Sequence, residues 1–386
     1  MKNENKNQQI KETLKQTKER HQNMRCVVYE LKVVRNKLSC TQIDLINKLF
    51  CEAKWMRNYV VADFSSADRN AKSVPVKVGG IFETRIFSVL GSQMKQDIYD
   101  QVKSNIISLS TTKANGKKVG ELKFKSVCNC VPLRQYGNTY NIDRVHNTVK
   151  VVNIKKPFKV RGLDQIPESV EFANAKFIRK ASGLYFHVTV YEPPKRREPN
   201  GASVGIDFGI KHNFTTSDGA VYDVYVPVGR SSKVKARKFN RSFVKNGRKK
   251  TKNHYKRLNK LKRSYEHESN KRHDKANKIV SRLLADYDWV VIQDEMIRNW
   301  HSGLFGKQVQ FSTMGSIKAG LKNSPRVIVV PRSFPSTQVC PVCGGLTKHA
   351  LDKREYDCCH CGYHHNSRDV KAAVSIRDEG LRIAAS

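Results

Sequence analysis

The run VGIDFGIKHNFTTSDGAVYDV, residues 204–224, decides how the second half of the chain is read. One acid, Asp207, stands among apolar residues, with Gly205 and Gly209 two positions to either side. Such a run predicts a strand, and Asp218-Gly219 suits a tight hairpin turn between two strand-like stretches. A carboxylate inside a strand costs several kcal/mol to bury unpaired, and the glycines let something bulky approach the backbone. Further along, Trp289 to Ile292 and Arg326 to Val330 read as buried strands, and Phe311 to Leu321 as a helix. Strand–helix–strand alternation around a hairpin predicts an α/β core with a mixed sheet.

Two more acidic groups follow. Asp294 and Glu295 end the strand in VVIQDEM (290–296), and Asp369 opens an Ala-rich helix in SRDVKAA (367–373). Each acid alone could be a cap or turn residue. Gathered from three distant segments, they would repel one another and need divalent cations in place of a compensating base. Mg²⁺ ions held about 3.5–4 Å apart in this way serve in-line phosphodiester hydrolysis.

Between the second and third acidic groups lie Cys340-Pro-Val-Cys343-Gly and Cys358-Cys-His-Cys361-Gly, with 14 residues between Cys343 and Cys358. Zn²⁺ takes four N or S donors at tetrahedral corners, and the glycine after each pair permits the bend that turns backbone amides toward sulfur. Cys359 and His360 are alternative donors, but only Cys358 and Cys361 repeat the first spacing. Four thiolates leave no open position, so a zinc ion held by Cys340, Cys343, Cys358 and Cys361 has a structural or binding role. The other five cysteines are scattered, unlike the even stapling of a small secreted scaffold.

The first half has a different texture. Residues 1–25 are polar and basic and read as an N-terminal arm, flexible or, over 1–22, a frayed helix. CVVYELKVV (26–34) is a strand, after which Thr41, with Asp44 three positions on, caps a helix carrying Ile43, Ile46, Leu49, Phe50, Ala53, Met56 and Tyr59. A second helix starts near Ser92, with Met94, Ile98, Val102 and Ile106 on one face, and NGKK (115–118) breaks it. From Leu122 to Tyr191 short alternating runs separated by Gly and Pro predict a small antiparallel barrel or sandwich, which the first strand joins. EPPKRREPNG (192–201) makes a linker.

Charge names the partner class. The 386 residues hold 72 Lys+Arg against 34 Asp+Glu, a net charge of +38. Residues 233–276 alone carry 18 Lys/Arg and 3 Asp/Glu along a sparse helical stripe of Leu258, Leu261, Tyr265, Ile279, Leu283 and Leu284 that continues past them. A surface so one-signed predicts phosphate contact rather than a solvated face. No run of 18 apolar residues and no apolar N-terminal segment is present, so neither a membrane partner nor a secretory signal is expected, and the location predicted is cytoplasmic.

In order, GIDFGIKHNFTTSDG, NKRHDKANKIVSRLLADYDWVVIQDE, CPVCG…CCHCG and SRDVKAA resemble the TnpB family of transposon-encoded RNA-guided nucleases and its relatives, the compact type V CRISPR effectors. The likeness runs from about residue 200 to the C-terminus and is looser over 122–191. It implies a multidomain α+β protein. A wedge β-barrel (26–40 and 122–192) would hold a helical recognition insertion (41–121), and a linker (193–201) would lead to an RNase H-like RuvC domain (202–334 and 364–386) carrying a zinc ribbon (335–363). It also implies a Mg²⁺-dependent endodeoxyribonuclease, monomer or dimer, that cuts double-stranded DNA paired to a guide RNA beside a short duplex motif, with Asp207 and Asp369 as catalytic, Mg²⁺-binding acids.

Three positions depart from the family pattern. Ser367 and Lys371 replace the usual Asp and Asn of the third motif. In the second, the glutamate column falls on Gln293, a poor Mg²⁺ ligand. Glu295, two residues further on the same face of an extended strand, is the acid expected to complete the set, with Asp294 as the substitute. Without such an acid the protein would be a nuclease-inactive RNA-guided DNA-binding repressor. A guide-independent transposase would use the same carboxylate chemistry without RNA. Trp55 and Tyr59, which have basic neighbours, read as helix core or as base contacts.

Overall fold

The computed structural model describes residues 2–22, 24–193, 198–209, 214–303, 305–350 and 352–385. Two compact units divide the chain, Met1–Arg196 and Arg197–Ser386. The division falls in the expected linker, of which residues 194–197 lie outside the described residues, as do residues 210–213 of the opening motif.

The first unit runs through α1 (Lys2–Gln22), β1 (Arg25–Val33), α2 (Cys40–Ala62), β2 (Ser73–Val78), β3 (Ile81–Ile86) and α3 (Ser92–Ala114). Then come β4 (Cys130–Leu133), β5 (Tyr140–Asp143), β6 (Thr148–Val151), β7 (Phe158–Arg161), β8 (Glu171–Lys180) and β9 (Gly183–Glu192). Seven strands make one antiparallel, nearly closed sheet in the order β4-β8-β9-β1-β7-β6-β5. β1, which precedes the helices, sits inside that sheet, paired with β9 from Arg25 opposite Glu192 to Lys32 opposite Tyr185. Ile46, Leu49, Phe50 and Met56 of α2 and Met94, Ile98 and Val102 of α3 bury in the same core as Phe158, Phe177 and Phe186. The helices therefore share the sheet's core rather than standing apart from it.

Several local expectations are corrected here. Of the two readings of the N-terminal stretch, residues 2–22 take the helical one, and the last turn docks on the sheet: Arg20 pairs with Glu171 at 2.8 Å and the His21 ring stacks on Tyr191 at 3.6 Å. Ser39, not Thr41, caps α2. Its hydroxyl accepts from the Gln42 amide at 3.3 Å while Gln42 Oε1 accepts from the Ser39 amide at 3.1 Å, a reciprocal box that a Thr41–Asp44 start would forgo. Ile43 is left exposed as a result. The β2–β3 hairpin is an addition within the expected helical stretch, turned by Gly79 (φ 58°) and Gly80 (φ 99°). Tyr59 is a core residue, with its hydroxyl accepting from the Asp68 amide at 3.0 Å.

The second unit contains β10 (Ser203–Asp207), β11 (Thr215–Thr216), α4 (Arg230–Lys245), α5 (Lys252–Asp286), β12 (Trp289–Gln293), α6 (Gly306–Phe311) and α7 (Met314–Lys322). It ends with β13 (Val327–Val330), β14 (Tyr356–Asp357), β15 (His364–His365) and α8 (Arg368–Ala385). Its sheet is mixed, in the order β11-β10-β12-β13: the last three strands are parallel and β11 is antiparallel to β10. Val204, Ile206, Val290 and Ile292 bury against Ile279 and Leu283 of α5 and Ile317 and Leu321 of α7. On the opposite face Val291 and Val330 meet Ile376 of α8. β13, expected to be buried, is the edge strand, and Val329 is exposed.

α8 lies close enough to the sheet that two glycines are required. A Cβ at Gly205 would stand 2.0 Å from the Ala373 carbonyl oxygen and 2.7 Å from the Arg377 amide, and one at Gly380 would stand 2.2 Å from Val291 Cγ1. The bulky group that Gly205 admits is thus the backbone of a helix. The basic segment is two helices, parted by a turn with Gly247 at φ 58° and Arg248 at φ 59°. Buried hydroxyls of Ser232 and Ser264, 2.6 Å apart and joined by Glu268, bolt α4 to α5.

Because the atoms facing Gly205 are backbone, Gly205→Ala should destabilise the second unit by about 3 kcal/mol in denaturant unfolding, while Gly120→Ala, in open space, should be neutral. Equal stability of the two variants would contradict the close packing.

Candidate active site

The parallel pairing of β10 and β12 brings their C-terminal ends to one edge of the sheet. Ile206 stands opposite Ile292, so Asp207 is level with Gln293, and Glu295 follows just beyond. Asp369, in the first turn of α8, is carried to the same region by the helix that crosses β10 at Gly205. Electrostatics reports the juxtaposition. Burial, then the negative charges of Asp369 and Glu295, push the Asp207 carboxyl up to about 7, against weaker opposition from Arg368 and Lys371. Arg354 lies 3.8 Å from Asp369.

The two neighbouring acids after β12 differ in their surroundings. Asp294 is held by Lys322 at 2.6 Å and Lys318 at 2.9 Å on α7, which keep its carboxyl down at about 2. Glu295 is half-buried, and burial raises its carboxyl. The acid that acts on Asp207 is Glu295, and Asp294 is committed to lysines.

Gln293 is fully engaged. Its amide donates to the carbonyls of Phe334 (2.6 Å), Pro331 and Arg332 (both 3.3 Å), and its oxygen accepts from the Ser336 hydroxyl at 2.9 Å. Ser367 is the N-cap of α8: its hydroxyl accepts from the Val370 amide at 3.3 Å. Lys371 is fully buried, donating to the carbonyls of Ser336 at 3.0 Å and Val339 at 2.9 Å. These structural roles went unread in the sequence. A Gln or Lys in an apolar setting signals a bonded partner without saying which.

The four thiols are tightly gathered. Cys340 and Cys361 sulfurs are 3.7 Å apart, Cys343 and Cys358 sulfurs 3.6 Å, and all four lie within 4.8 Å of one another. A tetrahedron with Zn–S bonds of about 2.3 Å has edges of about 3.8 Å, so the set fits a zinc ion. The two knuckles share one geometry: Gly344 (φ 71°) and Gly362 (φ 70°) donate to the carbonyls of Cys340 and Cys358. Cys359 faces the Thr347 hydroxyl instead. Among the described residues, no carboxylate set is gathered so closely, and the acid group is looser than the thiol one.

Away from the sheet edge, Lys238, Arg241, Lys245, Lys249 and Arg257 line a concavity of about 800 Å³ between α4 and α5. Among the described residues, no helix is long and apolar enough to cross a membrane.

Comparison with known proteins bears on this geometry. The OrfB_IS605 family ("Probable transposase") matches residues 186–300, and the Cas12f1-like TNB domain matches 310–376. A Streptomyces pristinaespiralis protein named "Putative RNA-guided DNA endonuclease" is 28% identical over 239 residues, 60% of this chain and 58% of that protein. The second half of the chain is similar to the TnpB family. The chain spans a little over half of that relative's length. Among solved structures, the Cas12f1-sgRNA-target DNA complex has a chain alike in fold, with a TM-score of 0.50 at 12% identity, covering 92% of this chain and 99% of that one. Within the TnpB family pattern, the three departing positions are each structural: Gln293 braces, Ser367 caps and Lys371 anchors.

A raised carboxyl has a defined effect on stability. Folded Asp207 keeps its proton up to about pH 7, whereas the unfolded chain releases it near the ordinary aspartate value of 3.8. Without added divalent cations other than zinc, this group therefore costs stability as pH rises from about 4 through 7. Asp207→Asn should raise the melting temperature on the order of 5 °C at pH 8 and by roughly a third of that at pH 5. An equal change at both pH values would contradict the assigned environment.

Proposed function

We propose that the chain is an RNA-guided DNA endonuclease whose acids Asp207, Glu295 and Asp369 hold Mg²⁺ for phosphodiester hydrolysis. The observation that supports this most is the raised carboxyl of Asp207 under the charges of Asp369 and Glu295. Among the described residues, the acids whose charges reach Asp207 stand with Arg368 and Arg354 rather than in the carboxylate–base pairing of an ordinary hydrolase, and the donor set is all-oxygen, as Mg²⁺ prefers. Bound there, paired cations would supply an activated water and a counter-charge for the leaving oxygen. Asp207 would hold them from the end of β10, Asp369 from the first turn of α8 and Glu295 from just past β12. Asp294, neutralised by lysines, would stay outside.

In this reading residues 26–40 and 122–192 form the wedge and 41–121 the recognition insertion. Residues 202–334 and 364–386 form the RuvC-like domain, and 335–363 a zinc ribbon with a structural ion on Cys340, Cys343, Cys358 and Cys361. Guide RNA and double-stranded target DNA are the partners. Base pairing would read sequence, while the α4–α5 cations, with a net charge of +38 behind them, would grip backbones. The family description "Probable transposase" favours a second reading, guide-independent strand transfer.

Guide-loaded protein, target DNA and Mg²⁺ test the proposal. Asp207→Ala, Asp369→Ala and Glu295→Gln should each slow cleavage by more than about a hundredfold while DNA binding persists. Asp294→Asn should cut normally. Binding without cleavage by the unaltered protein would make it a nuclease-inactive binder, and cutting that survives RNase treatment before target addition would favour the transposase.

A further inference from the structure

Between the end of β13 and the first zinc knuckle, a backbone tether of residues 331–339 is held from two directions. From β12, Gln293 bonds the carbonyls of Pro331, Arg332 and Phe334. From α8, Lys371 bonds those of Ser336 and Val339. The two grips meet on Ser336, whose hydroxyl donates to Gln293 at 2.9 Å and whose carbonyl accepts from Lys371 at 3.0 Å.

Each grip stands two residues from a carboxylate: Gln293 from Glu295, and Lys371 from Asp369. The Lys371 grip also depends on a folded ribbon. The Lys371 ammonium lies 3.9 Å from the ring centre of Tyr356, which is buried with Cys340 and Cys358 and donates from its hydroxyl to the Gln338 carbonyl at 3.0 Å. Val339, one of the two acceptors, immediately precedes Cys340. Were the knuckles to open, Lys371 would lose its ring and an acceptor. A buried ammonium left with the Ser336 carbonyl alone is costly to keep in place, so the first turn of α8, which carries Asp369, would shift with it.

We propose that Gln293, Ser336 and Lys371 are positioning residues that couple the zinc ribbon to the acid group, so that an intact ribbon sets the affinity of the acids for their divalent cation. This rests on the metal-binding reading of Asp207, Glu295 and Asp369. It also gives the glutamine at a family glutamate column a purpose: a carboxylate at 293 would face three carbonyl oxygens.

Mn²⁺ titration of the zinc-loaded full chain by calorimetry, paired with zinc release to a colorimetric chelator, tests it. Lys371→Met and Ser336→Ala should each release zinc faster and weaken Mn²⁺ binding roughly tenfold, and the double variant should lose less than the product of the two. Ser336→Thr, which keeps the hydroxyl, should restore both readouts. Faster zinc release with Mn²⁺ affinity within about twofold of the unaltered protein would overturn the coupling and leave the acid site standing. Failure of the unaltered protein to bind Mn²⁺ would overturn the acid-site reading, and the coupling with it.

Discussion

Carboxylates crowded where water is scarce cannot all be ionised without a counter-charge, and that constraint shapes the second unit. Asp207 sits under two other acids at the end of a buried strand, and burial together with their charges drives its carboxyl to about 7. Nothing in the packing of the sheet requires an acid there. The helix that brings Asp369 close does so only because Gly205 and Gly380 let backbone meet sheet at distances no Cβ would permit. The fold thus uses two glycines and a close helix contact to maintain an unfavourable grouping of charge, an arrangement that makes physical sense as a place for cations.

Much of this was legible in the sequence, and what was legible depended on local chemistry. The repeated Cys-x-x-Cys-Gly predicted the four thiols and the left-handed glycines, because each knuckle is specified within five residues. The mixed sheet followed from apolar runs around Asp218-Gly219. Helix starts were less readable: Ser39 and Thr41 are both capping residues, and Gln42, whose side chain closes the box, decided between them. The β2–β3 hairpin left its mark in Gly79-Gly80 but was hidden by a helical context on both sides. The basic stretch is legible as helical, but the turn at Gly247 and Arg248 that parts it into two helices is not.

Long-range polar contacts were beyond sequence reading. Gln293 and Lys371 are departures when set against the family motif, and the acids near them looked correspondingly doubtful. In the folded chain both grip a tether some forty residues away in sequence from one of them, and Glu295 is the acid after β12 whose charge reaches Asp207. A neutral residue at a charged column signals lost chemistry only when its neighbours offer no replacement and its own side chain is idle. Neither condition holds here.

The direct measurement is the position of Mn²⁺, located by anomalous scattering from crystals of the zinc-loaded protein grown with that ion. The account predicts manganese against the Asp207 carboxylate and shared with Glu295 or Asp369, and none at Asp294. Manganese bound elsewhere, with Asp207 bare, would contradict it.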